Sequence, residues 1–183
     1  MKVPKLNILD EKNKKLRVIS KPVVFPLTKD DLKLIEDIKV FLKISQIEET
    51  RNKYDLRAGM GLAFIQLGLP KRIFVIVYEE ADGSFTNYVF INPKIISQSE
   101  ELVYVGEGEG CLSVNRPTIG IVPRHARVTV ETADETGNIK TLRLREELAI
   151  ALQHEIDHLN GILFVDKIDP KEPFKNREQM REI

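Results

Sequence analysis

The stretch QHEIDHLNG, Gln153 to Gly161, holds two of the chain's three histidines, four residues apart, with a glutamate directly after the first. On an α-helix, residues i and i+4 share a face, so His154 and His158 can present two imidazole nitrogens to one cation. Glu155 follows the first histidine around the helix, where its carboxylate can reach a water on that cation without taking a coordination position. The pattern offers two ligands and a general base. The bland alternative is a solvated helix whose histidines merely titrate near neutral pH. Leu148, Leu152, Ile156 and Leu159 speak against it, because they trace an apolar side that would enclose the helix. Enclosed histidines and acids need partners. Asp157 is left as an acceptor behind a ligand or as an acid facing water.

A catalytic site of this kind needs a third protein ligand and an open position. The metzincin peptidase pattern would put a histidine where Phe164 stands, although its glycine is present as Gly161. A downstream glutamate, as used by another peptidase class, could only be Glu172 or Glu178, in a tail of mixed charge that reads as a partly exposed segment. His125, in VPRHARVTV, is flanked by Arg124 and Arg127, which disfavour a nearby cation, so it reads as a surface or turn histidine. Cys111, in GEGEGCLSV, is the only cysteine. Alone it would be a small buried hydrophobe. Beside a two-histidine helix that lacks a ligand, it is the leading candidate for a Cys-His-His site with one open position. Glu109 adds a carboxylate there, and Gly110 permits close backbone approach.

The elements that must carry these residues are legible in part. From Thr28 the pattern predicts a helix, with Thr28 and Asp31 resembling a capping box and Leu32, Ile35, Ile38 and Leu42 forming one apolar stripe. GMGLAFIQLGLPKR reads as a loop with exposed backbone near Gly59 and Gly61. RIFVIVY, NYVFINPKII, ELVYV, ARVTVETAD and IKTLRL read as mostly antiparallel strands, with hairpin turns at DGS and ETGN. A helix from Glu146 follows, with Gly161 placed to end it. The expected fold is α+β, with mostly antiparallel β-sheets packed around a central helix that carries the His-Glu-x-x-His motif.

A chain of 183 residues with 42% hydrophobic content reads as one domain spanning residues 1–183. Its 28 basic residues balance 28 acidic ones, which leaves no field of one sign to hold a polyanion, so direct nucleic-acid recognition is not expected. The lysine-rich N-terminus has no apolar core of a signal segment, and no stretch approaches the roughly 18 apolar residues of a membrane span. A cytoplasmic address with no membrane partner is expected, and the lone cysteine suits a reducing compartment.

GMGLAFIQ (Gly59 to Gln66), EGCLS (Glu109 to Ser113) and QHEIDH (Gln153 to His158) resemble the three motifs of the peptide deformylase family, in the same order and with fitting spacing. The second and third match at every fixed position. The long polar segment before Gly59 and the extended run after Cys111 look most like the type 2 branch, found largely in Gram-positive bacteria. The first motif departs from the pattern, since Phe64 replaces an alanine and Ile65 a proline, and neighbouring packing must absorb the added benzyl group.

The resemblance implies removal of the N-formyl group from the methionine of nascent peptides, with formate released. It further implies that Cys111, His154 and His158 hold the metal, that Glu155 is the general base, and that Gln66 and the backbone N–H of Leu112 stabilise the oxyanion. Gly59, Met60, Gly61 and Gly110 would line an extended peptide, and Ile150 and Ala151 the methionine pocket. It implies Fe(II) as the native ion, with Zn, Ni or Co able to substitute, and a transient association with the ribosome. Two other readings stay open on the residues: a zinc peptidase that cleaves internal bonds, and a degenerate member that binds metal without turnover, with Phe64 as its symptom.

Overall fold

The computed structural model describes residues 3–183; Met1 and Lys2, which begin the lysine-rich N-terminus, lie outside it. In chain order the elements are α1 (Lys29–Gln46), α2 (Glu48–Lys53), β1 (Gly61–Ala63), β2 (Ile73–Glu79), β3 (Phe85–Gln98), β4 (Leu102–Tyr104), β5 (Arg124–His125), β6 (Arg127–Ala133), β7 (Ile139–Arg145), α3 (Glu146–Leu159) and β8 (Arg181–Glu182). Five strands form one antiparallel sheet in the order β1-β2-β3-β6-β7, and the other three form a second sheet in the order β5-β4-β8. This is the α+β arrangement expected from the sequence, with α3 packed on the large sheet.

The run IFVIV is apolar without alternation because β2 is covered on both faces. Ile73, Val75 and Val77 join Ile35, Ile38 and Leu42 of α1 in one core cluster. Phe74 and Ile76 join Leu152 and Leu159 of α3 in a second. The sheet is thus a central layer that holds α3 at a fixed distance from α1. β3 is longer than its apolar run and bends where Asn92 takes a positive φ of 50° and Pro93 has no N–H to give the ladder. The Asn92 amide binds the backbone of Val23 through both of its polar atoms, at 2.8 and 2.9 Å.

Two expectations, the stripe of α1 and the glycine-bearing loop, need correction, and two further segments gain detail. The stripe of α1 starts at Ile35, since Leu32 is 39% exposed, and Asp31 bonds Lys71 at 2.6 and 2.7 Å while Thr28 caps the helix. The polar stretch after α1 forms the short helix α2. The glycine-bearing GMGLAFIQ is a strand and a 3-10 turn rather than a loop, because Gly61, Leu62 and Ala63 pair with Ile76, Val75 and Phe74, and Phe64–Leu67 then turns at Gly68 (φ 81°). The tail is exposed along much of its length but closes with β8, which runs parallel to β4.

The N-terminal segment crosses two loops. Leu9 donates its N–H to Gln66 O at 2.8 Å, Glu11 donates to Ser113 O at 2.7 Å, and Asn115 Nδ2 reaches Asp10 at 2.9 Å. Among the described residues no helix is long and apolar enough to cross a membrane.

Candidate active site

α3 enters the molecule with His154, Glu155, Asp157 and His158 all buried, and the chain leaves it through Asn160 and Gly161 (φ 75°), where a Cβ would stand 2.6 Å from Arg17 O. Cys111 lies in the long connection between β4 and β5 and meets this helix. Its Sγ is 3.3 Å from His158 Nε2, and single ligand atoms of Cys111, His154 and His158 all lie within 4.8 Å of one another. His154 Nδ1 donates to Glu109 Oε2 at 2.8 Å, which turns its Nε2 the other way. Glu109 is held in turn by Arg124, through Nε at 2.6 Å and Nη2 at 2.9 Å. Arg124 also binds Asp157 at 2.6 Å, and Lys167 reaches the same carboxylate oxygen at 2.9 Å.

Burial opposes the charge of Glu109, but the Arg124 guanidinium and His154 outweigh it and hold the carboxyl at about 2. Burial opposes the charge of His154 as well, and Cys111 and Glu109 raise it well above the usual imidazole range. His158 is pushed well below that range by burial and by the positive charge of His154 and Arg124, which keeps a lone pair free for a cation. Glu155, enclosed and without an ion pair among the described residues, is pushed up to about 7 by burial.

Two of the buried polar atoms without a partner among the described residues, His158 Nδ1 and Glu155 Oε2, sit here. One thiol and two imidazoles form a donor set suited to zinc, iron, cobalt or nickel, so these residues fit a divalent transition metal. The metzincin position is filled by Phe164, whose ring stacks on His154 at 5.8 Å, and Glu172 and Glu178 are exposed in the tail. His125 lies apart, with Nδ1 2.6 Å from Ser99 O.

A cavity of about 360 Å³ opens over this group, walled by Gly59, Met60, Gly61, Gly110, Ile150 and Ala151, with Arg57, Gln66, Leu112, Val105 and Ile183 also on its wall. Gln66 Oε1 accepts from Ala63 N at 2.8 Å, which leaves Nε2 facing Ser113 Oγ at 3.1 Å and Cys111 Sγ at 3.6 Å. A Cβ on Gly61 would collide with Glu155 Oε1, one on Gly59 would come 2.6 Å from Leu112 Cδ1, and one on Gly110 would meet nothing within 4 Å. Phe64 and Ile65 take no part in the wall. Phe64 is fully buried in the α1-side cluster and Ile65 in the α3-side cluster.

The model of the polypeptide deformylase family matches residues 5–174. The chain belongs to the peptide deformylase family. It is a hydrolase that removes the N-formyl group from newly synthesised peptides, and this family is metal-dependent. The peptide deformylase of Oceanobacillus iheyensis is 50% identical over 161 residues, 88% of each chain. That of Staphylococcus epidermidis is 44% identical over 178 residues, 97% of each. A Met-Ala-Ser-bound class I type b peptide deformylase from Acinetobacter baumannii superposes with a TM-score of 0.70 at 28% identity, over 89% of this chain and 98% of that one. Read as a deformylase, the chain holds two further residues that the motifs do not name. Arg124, read in the sequence only as repelling a cation, anchors both Glu109 and Asp157, and Arg57 binds the Cys111 loop.

Proposed function

We propose that Cys111, His154 and His158 hold one Fe(II) ion, for which Zn, Ni or Co can substitute, and that Glu155 moves the proton in hydrolysis of the formamide of an N-formyl-methionyl peptide. Bound at these three donors, the cation would acidify water and polarise the formyl carbonyl. The chain's own residues do the rest. Glu155 takes the proton from the attacking water and delivers it to the leaving amine nitrogen, a task suited to a carboxyl raised to about 7. Gln66 Nε2 and the Leu112 N–H donate to the oxyanion of the tetrahedral adduct; loss of one such donor lowers kcat by about 10²–10³. Gly59, Met60, Gly61 and Gly110 offer backbone to an extended peptide, and Ile150 and Ala151 seat the methionine side chain.

The observation that carries this reading is the convergence of one buried thiol with two helix-borne imidazoles beside an enclosed carboxylate that has no ion-pair partner among the described residues. The Acinetobacter relative, with Met-Ala-Ser bound, supports a peptide lying in this cavity. A substrate made on the ribosome implies transient association with it in the cytoplasm. Anaerobic purification with metal analysis, followed by formate release from formyl-Met-Ala-Ser, tests the assignment. Iron at one per chain with turnover is the expected result, and a full site without turnover would overturn it. Glu155→Gln should keep the metal and lose nearly all activity; unchanged turnover removes Glu155 from the reaction.

A further inference from the structure

We propose that Arg57 is a positioning residue for the oxyanion site, acting through the Cys111–Leu112 peptide group. The inference rests on the Leu112 N–H being an oxyanion donor. Arg57 Nη2 donates to Cys111 O at 2.9 Å and to Val114 O at 2.9 Å, and Nη1 donates to Leu112 O at 3.3 Å and to Asn115 Oδ1. The Cys111 carbonyl and the Leu112 N–H are two ends of one resonant peptide unit. A cation hydrogen-bonded to the oxygen draws density through the C–N bond and makes the N–H at the far end a stronger donor.

The Leu112 N–H has no acceptor among the described residues, so this strengthened donor is held in reserve at the cavity wall. Cys111 O accepts a second bond, from Val114 N at 3.1 Å, and the two together fix the plane of the peptide. The segment lies outside any strand, so no ladder orients it, and the guanidinium supplies that orientation. Arg57 also stands two residues before Gly59, where a Cβ would come 2.6 Å from Leu112 Cδ1, so one short segment both binds the peptide group of this donor and lies close against its side chain.

The test uses metal-loaded enzyme and formate release from formyl-Met-Ala-Ser. Arg57→Ala should lower kcat about 10-fold with KM nearly unchanged, less than the roughly 10²–10³ for removing a donor outright. Metal occupancy should stay full, Arg57→Lys should recover part of the loss, and added guanidinium ion should rescue Arg57→Ala but not wild type. In zinc-loaded, ¹⁵N-labelled protein the Leu112 amide proton should move upfield in the variant. Unchanged kcat, an unmoved Leu112 amide, or a loss that follows metal occupancy would each overturn the proposal. Arg57→Gln, which keeps a donor without the charge, is measured alongside and decides the matter if Arg57→Ala does not fold. Replacing the Leu112 amide with a backbone ester separates the two levels. If the ester leaves kcat intact, the donor reading fails and the Arg57 role with it; if the ester lowers kcat and Arg57→Gln does not, only the Arg57 role fails.

Discussion

Glu109 serves a histidine from behind while its own charge is secured by Arg124, and that arrangement has a pH signature. Its folded value of about 2 lies below the ordinary 4.5, so the ionised carboxyl stabilises the fold above about pH 4.5 and that contribution is lost as pH falls toward 2. The difference corresponds to about 3 kcal/mol at neutral pH. In metal-free protein, Tm should therefore fall steeply below pH 4.5, and Glu109→Gln should flatten that limb while lowering Tm at pH 7. A wild-type limb that Glu109→Gln leaves unaltered would place the acid sensitivity elsewhere. Gly61 gives a second residue-scale prediction. Any side chain there displaces Glu155, so Gly61→Ala should lower kcat about 10²-fold with the metal retained. Full activity in that variant would mean that Glu155 tolerates displacement. Arg124 was legible in principle: Arg124, Ala126, Val128 and Val130 alternate with more exposed residues, and all four are buried. An arginine on the inner parity of a strand needs buried acids, but which acids is a tertiary fact that spacing does not carry.

At the scale of elements, strands with aromatic and β-branched runs and the amphipathic helix α3 could be read directly, because one face or two faces of apolar residues decide them. The first motif could not. Glycine weakens the strand signal, and only pairing with β2 makes Gly61–Ala63 a strand. The same short element explains Phe64. Strand alternation and the turn that follows send its ring to α1, away from the cavity, so the departure from the family pattern is a matter of packing. Phe64→Ala should lower stability by about 3–5 kcal/mol and leave kcat near the wild-type value. Denaturant unfolding and formate release measure the two separately, and a changed preference for the methionine side chain would show that Phe64 does reach the substrate.

At the scale of the molecule, the large sheet fixes α3, the small sheet and its connections fix Cys111, and the cavity is what remains between them. The 28 charges of each sign leave no net charge to draw a partner from afar, and the cavity offers a peptide its local contacts. The N-terminal crossing gives this division a practical edge. Residues 9–11 touch neither the cavity nor any metal donor, yet their backbone ties the Gln66 turn to the Cys111 loop. A protease that nicks the chain just after Glu11 would work as a remote inhibitor: the cut strand would no longer hold the two loops together, and amide hydrogen exchange should quicken at Gln66 and Ser113 before the rest of the protein loosens.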